Sequence, residues 1–315
     1  MKPKIYIDGQ EGTTGLRIFE RFAGRDDIEI LTIDPALRKD TQERRRLINA
    51  SDITFLCLPD AAAKEAVSLV ESDRVRIIDA STAHRTAEGW AYGFPELSPA
   101  HREAIKTGKR IANPGCHATG FISLVYPLVA AGILPKESMV SCFSLTGFSG
   151  GGKKMIAQYE DVSRDAALDS PRLYGLTQQH KHLAEMRVIS GLQKAPLFTP
   201  IVADYYAGML VSVPLDASQL HGVSTLAQLH DCLSSAYADA RLVRVLPLSA
   251  QSDAGGFLAA NACAGWDGLE LFVTGNDERM TVCARFDNLG KGASGAAVQS
   301  MNLMLGCDEA TGLNV

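Results

Sequence analysis

Ala112-Asn113-Pro114-Gly115-Cys116-His117-Ala118-Thr119 sets a nucleophile beside a break in the chain. Pro114 and Gly115 interrupt it just before a long apolar segment, residues 121–134. There Phe121, Leu124, Val125, Leu128 and Val129 recur on one helical face. The spacing predicts a helix with Cys116 at or near its first turn, where backbone N–H groups lack intrahelical partners and the dipole is positive. That setting favours a thiolate, and a thiolate attacks carbonyl and acyl carbons. Pro127 predicts a kink or a restart near it. A lone cysteine is more often a small packed residue, so the chemistry rests on what accompanies it.

Two histidines, His180 and His182, stand one residue apart and precede Glu185. Such a set transfers protons or supplies half of a zinc site; no further clustered ligands follow, so no metal is expected. Residues two apart diverge on a regular helix, and both are not expected to reach one thiol from it. His182 has Glu185 three residues on, within reach if a helix begins here. The glycine-rich basic stretch Thr146-Gly-Phe-Ser149-Gly150-Gly151-Gly152-Lys153-Lys154 is either a loop that cradles an anion or a surface turn.

A third group is Gly9-Gln10-Glu11-Gly12-Thr13-Thr14-Gly15. It follows a β-like run at 4–8 and leads into Leu16, Phe19 and Phe22 at helical spacing. Strand, glycine turn and helix together are the context of a dinucleotide phosphate site. The spacing is GxxGxxG rather than GxGxxG, and a bare βα turn stays open. A second strand, 28–33, ends at Asp34, which suits the ribose of NAD; Arg38 and Lys39 suit the 2′-phosphate of NADP.

These groups need elements to hold them. Apolar runs at 53–58 and 75–79, and a final strand from Arg110, alternate with helical segments. They predict an α/β, doubly wound parallel sheet. Ligands bind at the carboxyl ends of such strands, where residues 9–15, 58–59 and 81–85 should lie. Cys57 reads as a buried strand residue. From Ser138 the texture changes: 139–145 is strand-like, and 201–213, 242–248, 269–273 and 280–286 read as strands of an antiparallel sheet. Gly292, Ala293, Gly295, Ala296 and Ala297 then open a small-residue helix suited to close packing against the cofactor domain.

At 315 residues, two domains are expected. A formal charge of −5 gives no pull toward nucleic acid or anionic membrane, and Arg44-Arg45-Arg46 reads as a solvated helix face. Seven scattered cysteines argue against a disulfide framework and for a reducing, cytoplasmic setting. Residues 1–10 lack the apolar core of a signal peptide, and the most apolar stretch, 120–135, is too short for a membrane span.

The glycine loop, Asn113-Pro114-Gly115-Cys116, Ser149-Gly150, His180-x-His182-x-x-Glu185 and Asn288-Leu-Gly-Lys-Gly-Ala-Ser-Gly295 occur in this order. Together, over nearly the whole chain, they resemble the N-acetyl-γ-glutamyl-phosphate reductases of arginine biosynthesis in their shorter form. The longer form commonly has proline before the acid, where Ala184 stands here. The resemblance implies NADPH-dependent reduction of a small-molecule acyl phosphate to an aldehyde through a Cys116 thioester. A histidine must shuttle the proton, and Glu185 three residues on favours His182 as acid–base, with His180 nearer the substrate's charged end. The resemblance places Gly9, Gly12, Thr13, Thr14, Gly15, Arg38, Ser149, Gly150 and Asn288 at the cofactor, and Arg85, Arg110 and Glu185 at the substrate. Residues 1–115 with 287–315 would form the NADP-binding domain. Residues 116–286 would form an α+β catalytic and oligomerisation domain, in a homo-dimer or tetramer. An aspartate-semialdehyde dehydrogenase-like reductase and a catalytically silent NADP-binding sensor are the alternatives.

Overall fold

Short apolar strands buried on both faces build the first of two units, Met1–Pro114 with Ala293–Leu313. The computed structural model describes residues 2–250 and 254–315; Met1, where the expected cofactor domain starts, lies outside the described residues. The elements run β1 (Lys4–Asp8), α1 (Thr13–Arg21), β2 (Glu29–Leu31), α2 (Thr41–Ala50), β3 (Ile53–Leu56), α3 (Asp60–Ser68), β4 (Arg76–Asp79), β5 (Ala91–Tyr92), α4 (Pro99–Thr107) and β6 (Arg110–Ala112). Their sheet has the order β2-β1-β3-β4-β6-β5 with every pair parallel, the expected doubly wound arrangement. Alternation along the strands fills two cores. Ile5, Ile7, Phe55 and Ile78 pack with Ile18 and Phe22, while Tyr6, Leu56 and Ile77 pack with Leu47, Ile48 and Ala63. A C-terminal helix, Gly295–Leu305, adds Ala297, Val298 and Met301 to the first core.

The arginine run is not a uniform solvated face. Arg44 is buried and donates from Nε and Nη2 to Asp8 at the end of β1, both at 3.0 Å. Arg45 and Arg46 do face solvent, paired with Glu71 and Glu43.

The second unit, Gly115–Gly292 with Asn314–Val315, contains α5 (Cys116–Ala130), β7 (Ser141–Gly147), α6 (Gly152–Glu160), β8 (Arg172–Leu173), α7 (Leu183–Ser190), β9 (Leu197–Ala203), β10 (Met209–Asp216), α8 (Leu226–Ala236), β11 (Val243–Val245), β12 (Leu269–Gly275) and β13 (Arg279–Phe286). Residues 115, 287–292 and 314–315, expected in the first domain, fall here. The sheet order is β11-β12-β13-β10-β7-β9-β8. It is mixed rather than antiparallel throughout, because β7 pairs β9, and β11 pairs β12, in parallel. The run 201–213 is two strands, β9 and β10. The glycine-rich stretch is helical, a 3₁₀ turn at Phe148–Gly151 followed by α6.

α5 does not restart at Pro127 but runs through it. Proline cannot donate to the carbonyl four residues back. That carbonyl, Ser123 O, instead accepts the Tyr237 hydroxyl at 2.7 Å, so the ladder's missing donor is replaced. Gly120 lets the helix lie on β10, since a Cβ there would sit 2.4 Å from Val211 Cγ2. One face of the sheet, including Val211, Val213, Val282 and Phe286, is buried. On the other face Phe143 and Leu197 are 42% and 53% exposed.

Candidate active site

Cys116 is the first residue of α5, and its cap, Gly115, supplies no side-chain hydrogen bond to the helix start. The thiol is half-buried. The Gly115 N–H donates to Glu185 Oε2 at 3.2 Å, and Glu185 Oε1 lies 4.0 Å from His182 Nε2. Glu185 sits in the first turn of α7 and is 1% exposed. Expected against the substrate, it is buried with its two oxygens toward the cysteine's loop and a histidine.

The paired histidines do not diverge, because the helix begins only after them. His182 caps α7, and its backbone N–H donates to His180 Nδ1 at 3.1 Å. That nitrogen is an acceptor, so a neutral His180 carries its proton on Nε2. The two rings meet edge-on, 4.7 Å between centroids. His117 lies 5.5 Å from His180 and 5.6 Å from His182. Its Nδ1 is 2.7 Å from Ser144 Oγ and its Nε2 is 2.6 Å from Tyr174 Oη. Burial, followed by the charges of His180 and Lys181, pushes the His117 pKa down to about 3. Burial above all, then the charge of Cys116, pushes the Tyr174 phenol up. Sequence reading missed Ser144 and Tyr174; strand alternation turns Ser144 inward without saying what it meets.

In the first unit the glycine loop is tight. Gly12 N–H donates to Gly9 O at 3.0 Å, and Gly9 has φ +87° with Cys57 O only 2.4 Å from where a Cβ would stand. α1 then starts at Thr13 without a side-chain cap, which leaves Thr13, Thr14 and Gly15 at a helix N-terminus fit for a pyrophosphate. Arg38 Nη1 reaches both Glu11 carboxylate oxygens at 3.0 Å, so it stands beside that loop. Asp34 turns its side chain to Ala36 N–H at 2.8 Å. Arg85 is buried; its Nε holds Asn113 O at 3.0 Å and its Nη2 holds Ala80 O at 3.2 Å. Arg110, expected at the substrate, stands at the start of β6, where its Nη1 donates to Val75 O and Lys109 O.

Ser149, Gly150 and Asn288 come together in the second unit. Asn288 Nδ2 donates to Ser149 Oγ at 3.0 Å, its Oδ1 accepts Gly208 N–H at 2.8 Å, and a Cβ on Gly150 would stand 3.4 Å from Asn288 Nδ2. Among the described residues no group of three or more His, Cys, Asp or Glu side chains is placed to hold a metal ion.

Comparison with known proteins covers almost the whole chain. A semialdehyde dehydrogenase NAD-binding domain matches residues 6–107, and a semialdehyde dehydrogenase dimerisation domain matches 116–288. N-acetyl-gamma-glutamyl-phosphate reductase 2 of Nostoc sp. is 48% identical over 99% of both chains. The N-acetyl-gamma-glutamyl-phosphate reductase of Brucella anthropi is 49% identical over 97% of this chain and 99% of its own. Among solved structures, aspartate semialdehyde dehydrogenase from Francisella tularensis superposes with a TM-score of 0.72 at 15% identity, covering 97% of this chain and 100% of that one. The Vibrio cholerae aspartate semialdehyde dehydrogenase II gives 0.71 at 14%, covering 97% and 98%. These two likenesses bear on the fold.

Proposed function

The chain belongs to the N-acetyl-γ-glutamyl-phosphate reductase family of phosphorylating semialdehyde dehydrogenases, which use a nicotinamide dinucleotide, and we propose that it reduces N-acetyl-γ-glutamyl phosphate to N-acetylglutamate 5-semialdehyde and phosphate with NADPH, in arginine biosynthesis. The observation that carries the reading is Cys116 at the head of α5, between Gly115, held by the buried Glu185 carboxylate, and His117, whose ring lies near those of His180 and His182. The Cys116 sulfur bonds to the γ-acyl carbon, the bond from that carbon to the phosphate oxygen breaks, and a thioester remains. When bound, the reduced nicotinamide supplies a hydride. His182 protonates the acyl oxygen once the carbon is reduced and takes the proton back as the C–S bond breaks, which frees the aldehyde. His180 lies nearer the substrate's charged end, and Arg85 holds the loop that carries Asn113.

Choice of NADP rests on Arg38 beside the glycine loop, with Asp34 turned into its own turn. The second unit matches a dimerisation domain, and its sheet face bearing Phe143 and Leu197 is the surface we assign to pairing of two copies. No helix among the described residues is long and apolar enough to cross a membrane. All seven cysteines are free thiols, which suits a reducing cytoplasm.

The deciding experiment runs the reaction backward. N-acetylglutamate semialdehyde with NADP should yield NADPH only when inorganic phosphate is present. NADPH formation without phosphate, or a preference for aspartate semialdehyde, overturns the reading.

A further inference from the structure

His117, Ser144 and Tyr174 have no part in the chemistry above, yet they form a hydrogen-bonded chain from buried Ser144 through buried His117, the residue next to the nucleophile, to half-buried Tyr174. The direction of that chain follows from counting donors. Ser144 is fully buried, and among the described residues its hydroxyl meets only His117 Nδ1. A buried hydroxyl hydrogen needs an acceptor, so Ser144 donates to Nδ1. A neutral imidazole then carries its own proton on Nε2 and donates it to Tyr174 Oη at 2.6 Å. The Tyr174 oxygen is thereby an acceptor toward His117. Its own hydrogen meets no acceptor among the described residues and remains available to a bound molecule.

We propose that Tyr174 is a further catalytic residue, whose hydroxyl donates to the acyl oxygen as negative charge develops on it, and that His117, braced by Ser144, is the positioning residue that aims it. The phenol also senses the charge of Cys116, which sets it near the reacting sulfur. A phenol held undissociated by burial stays a donor at neutral pH, and an imidazole that does not protonate keeps the chain in one direction. The proposal rests on the acyl-phosphate chemistry assigned above.

Tyr174→Phe removes only the hydroxyl. It should lower kcat by roughly 100-fold, the scale for loss of one oxyanion donor, with KM and the rate of Cys116 alkylation by iodoacetamide nearly unchanged. His117→Gln keeps an amide N–H near the Nε2 position and should retain kcat within about fivefold, while His117→Leu should fall as far as Tyr174→Phe. The double variant His117→Leu/Tyr174→Phe should fall no further than Tyr174→Phe. The proposal is overturned if Tyr174→Phe leaves kcat intact or alters KM alone. It is also overturned if folded His117→Gln loses as much as Tyr174→Phe, or if His117→Gln deletes an ionisation from the pH profile. Absence of phosphate-dependent activity in the unaltered protein would instead strike the functional reading on which this one rests.

Discussion

Gly115 donates its backbone N–H to Glu185 Oε2 at 3.2 Å, so a carboxylate from α7 fixes the residue just before the nucleophile. The other oxygen of the same group lies 4.0 Å from His182 Nε2. One buried acid therefore sets the spacing between the cysteine's loop and the histidine proposed to move protons.

Cys116→Ser should abolish turnover while leaving NADPH binding intact, because a hydroxyl is scarcely ionised at neutral pH. Iodoacetamide should label Cys116 ahead of Cys57, Cys142, Cys232, Cys263 and Cys283. Burial pushes all five of those thiols up, Cys263 to about 12. Peptide mapping by mass spectrometry reads the order, and uniform labelling counts against an activated thiolate.

Arg38→Ala should narrow the preference for NADP over NAD. A charge-assisted contact to phosphate is worth about 1.5–3 kcal/mol. Arg38 is half exposed and already shared with Glu11, so the lower end applies and NADP binding should weaken about tenfold. NAD binding should barely move. Glu11→Gln should act the other way, since it frees the guanidinium and removes a negative charge beside the phosphate. Calorimetric titration of both cofactors checks this; equal losses for both would mean that Arg38 serves the fold.

Tyr237→Phe should destabilise the second unit by about 1–3 kcal/mol, the cost of leaving the buried Ser123 carbonyl without its donor. Pro127→Ala restores a backbone N–H four residues after Ser123. In the Pro127→Ala background the same tyrosine change should therefore cost markedly less. Urea unfolding of the four proteins closes the cycle, and additive losses would refute this account of the helix.

The strands β1, β3, β4 and β13 were legible because each is a compact apolar run ended by a turn signal, and the helix start at Cys116 was legible from Pro114-Gly115. β5 is two residues long and carries no periodicity. Arg44 looked solvated because its partner, Asp8, stands 36 residues away in sequence. Helical spacing does not govern the two histidines, because α7 starts only at Leu183 and the two rings meet before it. The Tyr174–His117–Ser144 chain joins three segments of the sequence, and only folding brings them together.

His117 also makes a prediction about stability. Free histidine titrates near 6.5, but in the fold His117 takes its proton only at about pH 3. Between those values the unfolded chain binds a proton that the folded chain refuses. Its contribution is thus fully present above pH 6.5 and falls as pH drops through that window, by up to about 1.4 kcal/mol per unit. Between pH ~7.5 and ~5.5 the unaltered protein should lose about 1.4 kcal/mol more stability than His117→Gln. Equal slopes in urea unfolding would mean that His117 protonates while folded.

The two remaining histidines should separate by kinetic parameter. His182 is buried and has Glu185 near its Nε2, so it is the better placed to hold and return a proton. His180 accepts the His182 backbone N–H at Nδ1, which places the proton of a neutral His180 on Nε2. At saturating substrate His182→Asn should lower kcat about 100-fold or more and flatten its pH dependence. His180→Asn should act mainly on KM. Glu185→Gln keeps an oxygen for Gly115 but removes the charge beside His182. Its kcat loss should therefore resemble that of His182→Asn in its pH dependence while alkylation of Cys116 proceeds normally. Exchanged effects of the two histidine variants would swap their roles. Unchanged turnover in both would move the proton transfer to another group, and the position of Glu185 would then matter for the loop alone.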